Sequence, residues 1–448
     1  MAESFALNLQ EQDRSFHLHP FTNHAEMHAS GTHIVLEGDG CHFFDESGRR
    51  ILDGLAGLWC VNIGYSSKAV VQAVSEQLER LPYYPSFFNS TTEPPIRVAK
   101  FLAERAPARV NRTIFSNSGS EANETALKVI RAYWKLKGRQ EKKKILSRTF
   151  SYHGVTLATA SMTGLPNCQR PFDLPLADFL HVPGPYAYGA RTELSAQAYG
   201  VWCIEKTRQI IAKEGAETIA ALFAEPIQGA GGVIIPPPGY LAALRQLCRE
   251  NEILFVADEV ITAFGRVGDW FASNLWNLDP DLISLAKGLT SGYLPLGATM
   301  LSDEIAEAML SGGHFSHGFT YSGHPVCAAA ALANLNEIEK LGLIARVKND
   351  LAPYFQIQID AIRSHPAVAE VRCCGLIGAM ELVPREGRDA LTPTSMLGLK
   401  AWSLIREEGA MVRGIRDLIA LAPPLIISHA DIDELFDCIR RGLDRLWD

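Results

Sequence analysis

The chain has 448 residues, 47% hydrophobic and 21% charged, with a formal net charge of −8. That composition belongs to a folded globular protein, and its acidic balance argues against a nucleic-acid binder. A chain this long is expected to divide its core between domains. No stretch nears the roughly 18 uninterrupted apolar residues of a spanning helix, and the most apolar segment, 418–427, is broken by Pro423 and Pro424. The nine cysteines include no CxxC pair, and the start, Met1-Ala-Glu-Ser-Phe-Ala, lacks a basic and apolar secretory signal. We therefore expect a reducing, cytoplasmic setting without membrane contact.

In chain order, Ile34-Val-Leu-Glu and Cys41-His-Phe-Phe-Asp alternate as short strands around Gly38-Asp-Gly40, which predicts a small meander. From about residue 60, short apolar runs alternate with helical stretches, the sign of an α/β fold with a largely parallel sheet. Strands are predicted at 112–116, 144–147, 219–224, 253–257, 282–286 and 296–301. Helices are predicted at 121–137, 200–213 and 240–250, on apolar periodicity. The basic cluster 135–144 reads as a solvated helix end. Helical periodicity resumes from Pro325 to about Ile362, followed by an apolar run at 371–382 and a helix around 395–408. A strand pair near 411–427 and a last helix opening at Ser428 or Asp431 complete the chain. This layout predicts a large α/β domain, 59–324, between the two parts of a smaller domain, 1–58 and 325–448.

Three strand ends carry polar groups that a packed core does not need. Ile253-Leu-Phe-Val-Ala-Asp258-Glu259 ends in two carboxylates, and Leu282-Ile-Ser-Leu-Ala-Lys287-Gly288 ends in a lone lysine. Ile114-Phe-Ser-Asn-Ser118-Gly119-Ser120 runs through a tight turn into a helix. In open α/β sheets, ligands collect outside the carboxyl ends of strands. Gly119 permits the turn, and the free N–H groups at the helix start, with the Ser120 hydroxyl, suit a phosphate. Ser120 reads equally as a simple helix cap. Burial would lower the Lys287 pKa and make a Schiff-base nucleophile; the alternative is a lysine that emerges into solvent. Asp258 is either a strand-end turn residue or the buried carboxylate that a pyridine nitrogen needs. In Ser151-Tyr152-His153-Gly154 the aromatic pair supplies a stacking face or fills a loop. Together, a phosphate cradle, a stacking ring, a carboxylate and an amine are the set that pyridoxal phosphate requires.

Two patterns are set aside. His24-Ala-Glu-Met-His28, with His17, His19 and His33, looks like a metal site, but Glu26 is misplaced by one for the His-Glu-x-x-His motif, and no metal is expected. Gly229-Ala-Gly231-Gly232-Val-Ile234 lacks the third glycine of the dinucleotide fingerprint.

The strings Ser116-Asn-Ser-Gly-Ser-Glu-Ala-Asn123, Tyr152-His-Gly154, Glu225-Pro-Ile-Gln-Gly229, Asp258-Glu-Val260 with Phe264-Gly-Arg266, Ala286-Lys-Gly288 and Gly318-Phe-Thr-Tyr-Ser-Gly-His-Pro325 occur in this order. They resemble the class III aminotransferases over nearly the whole chain. The resemblance implies a fold-type-I, pyridoxal-phosphate-dependent enzyme that works by ping-pong amino-group transfer, as a homodimer with active sites at the subunit interface. It implies that Lys287 carries the Schiff base and Asp258 pairs with the ring nitrogen. Tyr152 would stack on one ring face and Ile261 would pack on the other. Gly119 and Ser120 would hold the phosphate with Thr320 from the neighbouring subunit, and Glu225 would lie close to the cofactor.

Within the family, four features resemble the subgroup that moves amino groups from ω-amino acids or amines to pyruvate. Leu55-Ala-Gly-Leu-Trp59-Cys60 looks like the segment whose tryptophan lines the substrate pocket, and Phe87-Phe88 like its aromatic wall supplied across the dimer. Ile261 stands where ornithine and 4-aminobutyrate aminotransferases carry a glutamine. Arg413, shortly before Ala422-Pro-Pro424, matches a mobile arginine that binds substrate carboxylate; Arg416 competes for that role, although strand alternation points it to the opposite face and it reads as a surface charge. The alternatives are an aminomutase or decarboxylase of the same family, a transaminase that uses 2-oxoglutarate, and a non-enzymatic cofactor-binding regulator.

Overall fold

The computed structural model describes residues 2–387, 389 and 395–447. Near the start, β1 (Val35–Asp39), β2 (His42–Asp45) and β3 (Arg50–Asp53) form the antiparallel meander that their alternation predicts. The central sheet is built from β4 (Val110–Ser116), β5 (Lys144–Arg148), β6 (Phe179–Val182), β7 (Ile219–Ala224), β8 (Leu254–Asp258), β9 (Leu282–Leu285) and β10 (Gly297–Ser302). Their order is β4-β10-β9-β8-β7-β5-β6. β10 runs antiparallel to β4 and β9, while the other neighbours pair in parallel.

Every residue of β7, β8 and β9 is buried, as expected for parallel strands covered on both faces. Alternate side chains enter different cores. Phe223, Val256 and Leu282 pack with Ala126, Val129 and Ile130 of the helix Gly119–Leu136. Leu222, Phe255 and Ile283 share the other core with Leu244 of the helix Tyr240–Glu250 and Ala331 of the helix Pro325–Lys340. Each such side chain contributes about 1.5–3 kcal/mol by leaving water.

The last part of the chain supplies β11 (Val368–Cys374), β12 (Ile377–Leu382), β13 (Ala410–Met411), β14 (Arg413–Ile415) and β15 (Leu418–Leu421). Four of these form an antiparallel sheet in the order β11-β12-β15-β14. The fifth, β13, pairs in parallel with β3 through Ala410 with Leu52 and Met411 with Asp53, so both chain ends meet in one small sheet. The last helix, His429–Asp444, is capped by Ser428, whose hydroxyl accepts from Asp431 N at 3.1 Å while the Asp431 carboxylate accepts from Ser428 N.

Several elements depart from expectation. β6 was not predicted, nor were the helices Ala2–Phe16 and His24–Ser30. The latter carries the His24/His28 pattern. His17 and His19 instead meet Asp13 at 3.1 and 2.8 Å, and hydrogen bonds from Thr32, then His19, pull the Asp13 carboxyl down to about 2. The 325–362 region breaks after the helix Pro325–Lys340, where Gly342 adopts a φ of 60°. Segment 371–382 lies in the hairpin β11–β12, turned at Gly375. The basic cluster is not all solvated: Lys142 is 1% exposed, with its amine donating to Ala216 O, Ile219 O and Glu252 O at 3.1, 3.0 and 2.8 Å. Among the described residues, no helix is long and apolar enough to cross a membrane.

Candidate active site

Because β4, β8 and β9 share one direction, their last residues open on the same edge of the sheet. The sequence makes each end a transition from apolar strand to polar turn, and the three turns converge there.

Asp258, at the end of β8, is 4% exposed. Its Oδ2 accepts from His153 Nδ1 and from Asn123 Nδ2, both at 2.8 Å, and its Oδ1 accepts from Val260 N at 3.2 Å. Donation from Nδ1 fixes the proton on that side of the imidazole. Asn123 also donates to His153 O at 2.8 Å, which joins the helix Gly119–Leu136 to the loop after β5. Three donors, from two side chains and one backbone N–H, thus converge on this buried carboxyl group. The sequence offered His153 as part of a stacking aromatic pair or loop filler, whereas its ring nitrogen braces Asp258, and Asn123 carried no signal of its own.

Lys287 follows β9 with a φ of 46°, a conformation that costs a non-glycine residue energy and is retained where surroundings enforce it. Among the described residues its amine makes no ion pair within 4.0 Å. Burial lowers its pKa, with Asp258 opposing. The amine is therefore easier to deprotonate than an exposed lysine, as nucleophilic chemistry requires.

Glu225 follows β7 and is 3% exposed. Its Oε1 accepts from Tyr152 N at 2.9 Å and its Oε2 from Gly229 N at 3.0 Å, bracing two loops. Burial pushes its carboxyl up to about 7, Asp258 adds to this, and His153 opposes it. Tyr152 is partly buried and its hydroxyl is pushed up to about 12, chiefly by burial. Ile261 packs in one apolar cluster with Leu55 and Trp59.

The helix after β4 is capped by Ser118, whose hydroxyl accepts from Glu121 N at 3.1 Å. Ser120 is not the cap; its hydroxyl accepts from Val155 N at 3.2 Å. The Ser118-x-x-Glu121 signature carried that signal. Gly119 and Ser120 are then the first two helical residues, and their N–H groups have no acceptor within the helix. A Cβ on Gly119 would lie 3.1 Å from both Val260 methyls, and one on Gly154 would lie 2.9 Å from Ser120 Cα. The loops close up around a small, dipole-positive anion site.

Arg413 begins β14 with its guanidinium 5.3 Å from the Trp59 ring centroid. Its Nε is buried without a partner, and burial lowers its pKa. The guanidinium borders a cavity of about 680 Å3 that Leu55, Leu58, Tyr65 and Trp402 also line. Arg416 is not a free surface charge: its Nη2 donates to Gly231 O at 2.8 Å and its guanidinium lies 5.3 Å from the Phe150 ring. Thr320 and Phe88 are exposed, and Thr320 O accepts from Tyr83 Oη at 2.7 Å. Phe87 packs on Gly318, where a Cβ would lie 2.6 Å from its ring. These four residues, Thr320, Phe88, Phe87 and Tyr83, come from two adjacent segments, 83–88 and 318–320, the first of which carries exposed Tyr83, Tyr84 and Phe88.

An anion cradle, an unpaired amine and a carboxylate suited to a cationic ring nitrogen fit the three polar parts of pyridoxal phosphate. Residues 24–443 match the family model of class III aminotransferases.

The chain belongs to the class III aminotransferases. This family depends on pyridoxal phosphate, and the central sheet with its flanking helices has the fold type I expected of it. The chain is 41% identical to a putrescine–pyruvate aminotransferase from Pseudomonas aeruginosa over 437 residues, 97% of this chain and 96% of the relative. It is 40% identical to a mitochondrial gamma aminobutyrate transaminase from Solanum lycopersicum, over 92% of this chain and 81% of that protein. Among solved structures, a thermostable (S)-enantioselective omega-transaminase from Thermomicrobium roseum superposes with a TM-score of 0.94 at 40% identity, covering 99% of each chain.

Proposed function

We propose that this aminotransferase moves an amino group from an ω-amino acid or amine to pyruvate and releases alanine. The observation that carries the choice of substrates is Arg413, a partly buried guanidinium that has no carboxylate partner among the described residues and rests against Trp59. A guanidinium binds a carboxylate through two parallel hydrogen bonds. Withdrawn along the adjoining cavity, it leaves an aromatic and aliphatic wall for a donor that has no carboxylate. The relative named for putrescine and pyruvate supports the amine-to-pyruvate reading.

In this reading Gly119 and Ser120 bind the phosphate through their free N–H groups, and Asp258, braced by His153 and Asn123, holds a negative charge against the ring nitrogen. Pyridoxal phosphate, held there, supplies the carbonyl that receives the amino group and the cationic ring that withdraws electrons. Tyr152 and Ile261 restrict the ring from its two faces. Lys287 Nζ, a buried amine whose pKa burial lowers, would take the proton from the donor carbon and give it back as the amino group moves. Glu225 holds the Tyr152 and Gly229 loops at a fixed separation.

Thr320 and Phe87 stand on a surface with exposed Tyr84, Phe88 and Tyr321, too large an apolar patch to leave in water without a purpose. We assign that surface to a second copy of the chain, which would add Thr320 to the phosphate site and Phe87 to the donor wall.

The test is a panel of β-alanine, linear diamines and aryl-alkyl amines, each offered with pyruvate or 2-oxoglutarate, with alanine or glutamate as the measured product. Alanine formation from several donors is expected. A strong preference for 2-oxoglutarate overturns the acceptor assignment, and release of carbon dioxide or an isomerised amino acid replaces transamination with another reaction.

A further inference from the structure

The segment Gly229-Ala-Gly-Gly-Val233 follows β7 and closes on itself, with Gly232 N and Val233 N both donating to Gly229 O, at 3.0 and 2.9 Å. Its backbone is one that few sequences can follow. Gly232 has a φ of 134°, and a Cβ on Gly231 would stand 2.0 Å from Phe150 O. Val233 has a φ of 51°, and a β-branched residue in that region is held there by its surroundings.

The inner side of the segment backs the proposed donor site. A Cβ on Gly229 would lie 2.4 Å from Ile261 Cδ1, and Val233 shares the apolar cluster of Leu55, Trp59 and Ile261. Its outer side is gripped by two arginines. Arg416 Nη2 donates to Gly231 O at 2.8 Å. Arg372 Nε donates to Gly232 O and Val233 O at 3.2 and 2.9 Å, and its Nη2 donates again to Gly232 O. Three consecutive carbonyls are thus held by cationic donors, which bind more strongly than neutral ones.

The arginines are themselves fixed. Arg372 pairs with Glu381 at 2.6 Å and Glu370 at 2.9 Å, and its guanidinium lies 5.2 Å from the Tyr186 ring. The Tyr186 hydroxyl donates to the same Glu381 oxygen. Phe150, beneath Arg416, meets Tyr186 edge-on at 5.4 Å. Burial of both carboxylate and guanidinium makes the grip a connected unit rather than a pair of surface bonds.

We propose that Arg372 and Arg416 are specificity-determining positioning residues. By holding the 231–233 carbonyls they fix how far the Ile261 and Trp59 wall can yield, and so limit the width of the amine donor. The proposal rests on the transaminase reading above.

The test compares Arg372→Gln, Arg416→Gln and Arg416→Lys with the wild type. Hydrogen–deuterium exchange should quicken about tenfold in the 229–234 peptide of both glutamine variants, while the helix Tyr240–Glu250 stays unchanged. With pyruvate as acceptor, the kcat/KM ratio of a linear amine to a branched aryl amine should fall about tenfold. The change should lie mainly in a lower KM for the branched donor, and Arg416→Lys should show a smaller shift than Arg416→Gln. An active enzyme whose variants keep that ratio within twofold sinks the proposal, whatever the exchange shows. So does a proportional loss for every donor alongside a lower melting temperature, since that is the mark of a merely structural role. A wild type that transaminates no donor at all is a different result, and removes the underlying reading.

Discussion

The Arg413 guanidinium sits 5.3 Å from the centre of the Trp59 ring and is not paired with any carboxylate among the described residues. A cation held over an aromatic face gains about 0.5–2 kcal/mol, less than a bidentate carboxylate pair offers. A substrate carboxylate can therefore draw it away from the ring. We expect Arg413→Ala to raise KM for pyruvate and β-alanine about 10- to 100-fold, because a hydrogen bond to a charged group contributes about 1.5–3 kcal/mol. KM for an amine without a carboxylate should change less than about threefold. Steady-state kinetics with each substrate varied in turn checks this, and equal losses for both donor classes would contradict it.

Lys287→Ala should abolish turnover, with a fall of at least about 10²–10⁴, the range of a general base. Cofactor content should be retained, because Asp258 and the 119–120 cradle are untouched. Absorbance and phosphate analysis of the purified variant, beside an alanine-formation assay, separates loss of chemistry from loss of binding.

Glu225 supplies a pH dependence. Its native pKa is raised to about 7 by burial, whereas an unfolded glutamate titrates near 4.5. Between those values the native state holds a proton that the unfolded state has lost, so stability falls as pH rises. The contribution is fully present below about 4.5 and gone above about 7. In the cofactor-free protein, Glu225→Gln should flatten that part of the melting-temperature profile. An unchanged slope between pH 5 and 7 would place the effect in another group.

Active sites shared between two copies have a genetic signature. Lys287→Ala and a Phe87→Ala/Thr320→Ala variant should each have low activity alone. On co-expression, the proposed pairing of two copies would give hybrid dimers in which one site carries both defects and the other carries none. Activity above the average of the two parents is expected; activity equal to that average would return both segments to their own chain's site.

Lys142→Met should destabilise the chain by about 3 kcal/mol or more, since three carbonyls lose their donor and each unsatisfied buried group costs about 1–3 kcal/mol. Urea denaturation measures this. The sequence hid the role of Lys142 because Arg139, Lys143 and Lys144 around it share the composition of a solvated helix end, and only the β7 approach reveals which of them turns inward.

The chemistry at the sheet edge was legible for the opposite reason. β8 and β9 are apolar until their last turn, so Asp258 and Lys287 stand out against strands with no other use for charge. β6 was not legible: it is a four-residue edge strand in which Leu180 and His181 are only partly buried, and alternation over so short a run carries little information. Ser120 offered itself as a cap because it stands two residues after the actual cap, Ser118, and both are serines. Asn123 and Arg372 act through partners 135 and 140 residues away, separations at which spacing says nothing.

The pairing of β13 with β3 has a consequence for how this enzyme can change. Trp59 follows closely on β3, and one residue separates Arg413 from β13, so the wall proposed to meet the donor is hung from the seam where the two ends of the chain are stitched together. The acid–base groups hang from the central sheet instead. Drift at the seam can therefore remodel which amines are admitted while the proton-handling edge is left as it was, and an engineer seeking new donors should begin at that seam.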